Sequence, residues 1–167
     1  MSIPDDENNN STYPKRTIRS FVKRTGRVTE GQRYALDHYW PLYGIEYETP
    51  GLLDFRLLFP EKKGVKLEIG FGNGESLVQM AAQDKAFGYL GIEVHTPGVG
   101  HCMKHLHEQK LNNLKLISHD AIEVLENKIH QRSLDGVFLF FPDPWHKKRH
   151  KKRRIVNQAF KDLLVRI

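Results

Sequence analysis

The sequence predicts an α/β fold: a mostly parallel sheet with helices on both faces. Three observations predict it. From Val65 onward, short apolar runs alternate with amphipathic segments of helical period. A glycine turn, Gly70-Phe71-Gly72-Asn73-Gly74, comes directly after the first of these runs. An acid stands at the end of each run, Glu68, Glu93, Asp120 and Asp143, at intervals of 25, 27 and 23 residues, about one βα unit each.

Taken in order, residues 1–14 are polar, Asn-rich and acidic, and read as a disordered tail. A second region, 15–63, opens with a basic arm over 15–27 that holds six Lys/Arg and no acid. Thr29-Glu30-Gly31-Gln32 has the form of a capping box, which starts a helix that runs to Trp40 and stops before Pro41. Residues 43–63, with Pro50, Gly51 and Pro60, read as a connector holding one turn of helix. The α/β region, 64–167, begins with a strand over 65–69 and a helix over 76–83, with Leu77, Met80 and Ala81 on one face. A second strand spans 89–94. Thr96-Pro97 places a cap ahead of a proline, the favoured order at the start of a helix that runs to about 110. A strand at 114–118, a helix at 121–129 and a strand at 136–141 continue the rhythm. The last helix begins near Lys152 and gathers Ile155, Ala159, Phe160, Leu163 and Leu164 on one side. Right-handed crossovers make this a Rossmann-like arrangement. The expected sheet is truncated after strand four and its helix, which leaves strand four an exposed apolar edge.

Composition narrows the class. Of 167 residues, 39% are hydrophobic and 28% charged, ordinary for a soluble domain. The longest apolar run, around 137–141, is too short for a bilayer, and the polar N-terminus is no secretory signal, so the expected address is cytoplasmic. The single Cys102 excludes an internal disulfide. The net charge of +6 is concentrated in the arm and in residues 146–154, nine consecutive His, Lys or Arg. Clusters of this kind suit a polyanion, because neutralised phosphates release counterions. The plainer reading is a solvated face.

Parallel strands bring the four acids to one edge of the sheet, where open α/β proteins bind ligands. Glycines 70 and 72 let a ligand approach the backbone. Flanking Glu68 and Glu75 disfavour a pyrophosphate, and the spacing is Gly-x-Gly-x-Gly rather than the dinucleotide pattern. A donor with a cationic centre, S-adenosylmethionine, fits better. Glu93 then accepts from the ribose hydroxyls, Asp120 from the adenine amino group, and the Ala121 N–H meets a ring nitrogen. Asp120 is equally placed to be only a helix cap. Pro142 and Pro144 bracket Asp143 and fix it beside the ligand, and Trp145 offers a face for a base or packs in the core. His101, Cys102 and His105 lack a further ligand at metal spacing, so no metal is expected. His95 lines the donor pocket or caps the adjoining helix.

Leu67-Glu68-Ile69-Gly70-Phe71-Gly72, Gly91-Ile92-Glu93-Val94-His95 and Phe141-Pro142-Asp143-Pro144-Trp145-His146-Lys147, with Lys152-Arg153-Arg154, resemble the bacterial tRNA (guanine-N7-)-methyltransferase family. So do Arg19-Ser20-Phe21-Val22 and Tyr39-Trp40-Pro41. The resemblance implies a class I methyltransferase fold and methylation of N7 of guanosine 46 in tRNA. It implies donor contacts at Glu68, Glu93, Asp120 and Asp143, with Asp143 the active-site acid. Lys147 would touch substrate, and Arg149, His150, Lys151, Lys152, Arg153 and Arg154 would meet RNA. Family members continue for several further strands, with a later Asp and a Thr-x-Phe-Glu-like segment that have no counterpart here. The reaction agrees with elementary chemistry. Guanine N7 has a free lone pair, so the transition state needs in-line placement and stabilisation of positive charge on the purine, which a fixed carboxylate provides. The expected partner is tRNA, with no membrane; the chain is expected to be a monomer, with the exposed edge of strand four as a place for association if the sheet is truncated there. Two rivals stand beside this reading: a nicotinamide-dependent oxidoreductase, which leaves the basic run unexplained, and a non-catalytic RNA-binding module.

Overall fold

A computed structural model describes residues 26–140, 142 and 154–167. The expected disordered tail, most of the basic arm, Asp143, Trp145 and the run from Lys147 to Arg153 lie outside the described residues.

Helix α1 (Glu30–Tyr43) begins with the capping box: Thr29 Oγ1 accepts from the Gln32 N–H at 3.3 Å, and Gln32 Oε1 accepts from the Thr29 N–H at 2.9 Å. It does not stop before Pro41. The helix continues to Tyr43, because a proline in the last turn forfeits a single backbone bond while the extra turn buries Tyr43 against the core. The connector supplies α2 (Phe55–Leu58), capped by Asp54. Two backbone bonds fasten the connector to the α/β region, from the Ile45 N–H to the Leu116 carbonyl and from the Leu53 N–H to the Lys128 carbonyl.

The α/β rhythm then appears as β1 (Val65–Ile69), α3 (Glu75–Gln83), β2 (Gly88–Ile92), α4 (Thr96–Glu108), β3 (Leu114–Ile117), α5 (Ala121–Asn127), β4 (Gly136–Phe138) and α6 (Gln158–Arg166). All described pairings are parallel, in the order β3-β2-β1-β4. Helices α3 and α4 cover one face with α1, around Leu77, Val99, Met103 and Leu106. Helices α5 and α6 cover the other with α2, around Leu67, Leu90, Leu125 and Phe160. The chain steps outward from β1 to β3 and then returns across the sheet to β4. The order therefore reverses between β1 and β4, where the strand ends open a crevice.

Several further element limits differ from expectation; β3 ends at Ile117 and α5 at Asn127, one and two residues early. Strand β2 ends at Ile92 because the Glu93 carboxylate captures the next two N–H groups, of Val94 and His95, and turns the chain. The cap of α4 is His95, whose backbone carbonyl receives the Gly98 and Val99 N–H groups, so Thr96 is the first helical residue and not the cap. Strand β4 ends at Phe138, the last residue with a partner on β1, namely Glu68. Helix α6 starts at Gln158 and not near Lys152, because Asn157 Oδ1 accepts from the Phe160 N–H at 3.0 Å and sets the start there. Ile155 precedes that helix but still packs on the same core.

Candidate functional site

The carboxyl ends of the strands surround a cavity of about 650 Å³, floored by the turn after β1. Sequence dictates its shape. Gly70 and Gly72 adopt φ of +68° and +59°, a region that side chains disfavour, and a Cβ at either would stand in open space. Their backbone is therefore directly accessible from the cavity. Behind the turn, a Cβ on Gly98 would lie 2.2 Å from the Gly72 carbonyl oxygen, so α4 packs hard against the turn only because Gly98 has none.

Glu68 and Glu93 both line this cavity, in different states. Glu93 is a brace: Oε2 accepts from the Gly72 N–H at 2.8 Å, and Oε1 accepts from Val94 at 2.7 Å and His95 at 2.9 Å. Those three bonds tie β2 to the glycine turn and leave roughly one of four acceptor positions of the carboxylate for a ligand. Glu68 is 3% exposed, and its Oε2 has no partner among the described residues. Burial pushes its carboxyl up to about 7. An orphaned, buried acid facing a cavity is a site suited to a cation.

At the β3 end the wall is made by His119 and Ala121. Asp120 sits between them, and its Oδ1 accepts from the Ile122 N–H at 2.8 Å, capping α5. Of the expected donor residues, Glu68, Gly70, Gly72, Glu93 and Ala121 share one cavity, and Asp120 is next to it as a cap. Asp143, Lys147, Arg149, His150, Lys151, Lys152 and Arg153 are outside the described residues, while Pro142 before them and Ile155 after them line the cavity. Arg154 is exposed beside Ile155.

Sequence reasoning missed His119 and also Tyr47, whose ring stacks on it at 3.6 Å between centroids. The signal available was position alone, since His119 ends the third strand at the same edge as the acids. His95 both caps α4 and lines the cavity. Cys102 is fully buried beside Glu68, and its thiol is pushed up to about 12 by burial and then by that carboxylate, which makes it a poor nucleophile. His101 bonds the Asn73 carbonyl at 3.0 Å, and no three His, Cys, Asp or Glu converge as metal ligands among the described residues.

Residues 62–167 match the family model described as "Putative methyltransferase". Among curated relatives, the chain is 59% identical to the tRNA (guanine-N(7)-)-methyltransferase of Yersinia enterocolitica over 89% of its own length and 62% of the relative's. It is 60% identical to the enzyme of that name from Edwardsiella ictaluri, over 87% and 60%, and 56% identical to that from Cronobacter sakazakii, over 92% and 64%. The chain thus spans about three-fifths of the length of these relatives. A solved antibiotic-related methyltransferase is similar at a TM-score of 0.49 and 17% identity, over 70% of this chain and 58% of that one. With a switch-point cavity lined by a glycine turn and two acids, and a family match across the whole α/β region, this chain belongs to that methyltransferase family.

Proposed function

We propose that this chain binds S-adenosylmethionine in the switch-point cavity and serves the transfer of its methyl group to N7 of guanosine 46 in tRNA. The observation that carries the reading is the buried, unpartnered Glu68 above an open glycine turn. Glu68 and Glu75, which flank the glycine turn in the same cavity, argue against a pyrophosphate there and therefore against a nicotinamide cofactor. The relatives' name supplies the substrate: each is a tRNA (guanine-N(7)-)-methyltransferase.

When bound, the donor supplies an electrophilic methyl group on a sulfonium. The residues of this chain do the rest by position and charge. Glu68, its proton released to solvent, would hold the donor's ammonium as a carboxylate, and the Gly70 and Gly72 backbone would leave room for the donor at the turn. Glu93 offers its remaining acceptor position to the ribose. The Ala121 N–H, at the first position of α5, would donate to a ring nitrogen of the adenine. Asp143 is the acid that stabilises charge on the purine, and Lys147, Arg149, His150, Lys151, Lys152, Arg153 and Arg154 hold tRNA phosphates. The chain acts as a monomer in the cytoplasm, where tRNA is matured.

The test pairs calorimetry with a methyl-transfer assay. The chain should bind S-adenosylhomocysteine and not NADH, and the full-length protein should label wild-type tRNA but not a transcript with adenosine at position 46. NADH binding, or equal labelling of both transcripts, would overturn the reading.

A further inference from the structure

Helix α4 meets the back of the glycine turn at successive turns of the helix. Gly98 packs on the Gly72 carbonyl and Cys102 on Gly74, and between them His101 Nδ1 donates to the Asn73 carbonyl oxygen at 3.0 Å. A carbonyl only accepts, so Nδ1 of His101 carries a hydrogen and the neutral ring keeps its lone pair on Nε2. One helical turn further on, the His105 ring stands 4.4 Å from the His101 ring between centroids, at 33° between planes. Both side chains are half-buried, and no described residue bonds His101 Nε2 or either ring nitrogen of His105. Cys102 belongs to the core and takes no part in the pair. Lys104 and Glu108, next to the pair on the helix, bridge each other at 3.8 Å, so the lysine's charge is matched.

Two imidazoles one helical turn apart, one of them oriented by a backbone carbonyl, have the form of a chelate. A metal-bound histidine ordinarily donates its other ring N–H to a carbonyl or carboxylate, which fixes the tautomer and raises the basicity of the ligating nitrogen. An ion bonded to two imidazole nitrogens at about 2.1 Å holds them about 3 Å apart, a spacing within the range that rings 4.4 Å apart allow. The geometry points to His101 and His105 as a surface site for a late first-row divalent cation, with water completing the coordination. Imidazole suits copper, nickel and zinc, copper(II) being held tightest, whereas magnesium and calcium take oxygen ligands. The sequence argued against a site because a further protein ligand is missing, and a two-imidazole site needs none. This site stands apart from the donor cavity and does not depend on what fills it, although the two share the turn at Asn73, which lines the cavity.

The experiment titrates copper(II) into the whole chain, following heat by calorimetry and the paramagnetic broadening of backbone amide signals by NMR. In the wild type, the amides of Asn73, Gly74 and residues 98–108 should broaden at substoichiometric copper, and zinc should restore them while magnesium does not. His101→Ala and His105→Ala should each weaken copper binding at this site by more than about tenfold, since loss of a second-shell partner alone costs that much. The broadening on α4 should vanish with it. His105→Ala carries the test if His101→Ala fails to fold, because it removes no hydrogen bond of the described structure. His107→Ala is the control on the same helix: its ring stacks on Tyr39, away from the pair, and copper binding should stay as it was. Broadening on α4 that persists in folded His105→Ala, an equal loss in His107→Ala, or no broadening of these amides in the wild type would overturn the site.

Discussion

Replacing Glu68 by glutamine removes a charge while keeping the shape, and its effect on stability can be worked out from burial alone. In the folded chain the Glu68 carboxyl titrates near 7, against an ordinary value of 4.5. The folded state therefore holds its proton more tightly than the unfolded state does. Stability from this group is fully present below about pH 4.5, declines as pH rises towards 7, and is flat above. At 1.36 kcal/mol per pH unit, ionising Glu68 in place costs about 1 kcal/mol at pH 5 and about 3 kcal/mol at pH 8. Glutamine does not ionise, so Glu68→Gln should gain on the wild type by about 2 kcal/mol between those two pH values. Any fixed difference in packing cancels in that comparison. Urea unfolding of both proteins at pH 5 and pH 8 measures it. Calorimetry at pH 8 should show the functional cost, a loss of S-adenosylhomocysteine affinity in the variant. A stability difference that is the same at both pH values would refute the argument, because the carboxyl would then titrate where an exposed one does.

Three further outcomes concern the same site. Glu93→Ala should weaken donor binding by about 1.5–3 kcal/mol, the range for a hydrogen bond to a charged group, and should also lower the melting temperature, since it frees the N–H groups of Gly72, Val94 and His95. Unchanged calorimetry and melting would remove it from both roles. Neutralising Lys147 and Lys151 should flatten the log–log salt dependence of tRNA binding by about two, while donor affinity stays as it was; an unchanged slope would make the run a solvated surface. In the full-length protein, Asp143→Asn should cut kcat far more than donor affinity, because the charge acts on a purine that becomes cationic in the transition state. Turnover equal to wild type would make that carboxylate structural.

The fold was legible where periodicity and burial agreed. The strand expected at 65–69 is β1 without a shift, and the helix expected from Ser76 begins one residue earlier, at Glu75. The limits that moved did so for tertiary reasons that periodicity does not carry. The extra turn past Pro41 exists because Tyr43 has a core to enter. Strand β4 stops where its pairing with β1 stops, although Leu139 and Phe140 keep its apolar character. At the site, residue type and spacing were enough to bring Glu68, Glu93 and the glycine turn together. They could not reveal that Glu93 is largely occupied by three backbone N–H groups while Glu68 has an oxygen free, since the two acids look alike in sequence. His119 was invisible for a related reason: its place depends on Tyr47, 72 positions earlier, in what reads as a plain connector.

The unequal anchoring of the strands has a consequence for the order of events. Strand β1 pairs with β2 through five residues but with β4 through only three, and β4 has no described partner on its far side. Slow amide exchange should therefore gather in β1 and β2, with β4 opening far more often. The half of the cavity built on β1 and β2 is ready-made, whereas the half that rests on β4 is steadied by whatever occupies it. On the function proposed above, the donor would meet the ready-made half and the acceptor the half that organises on binding, which favours donor first and acceptor second.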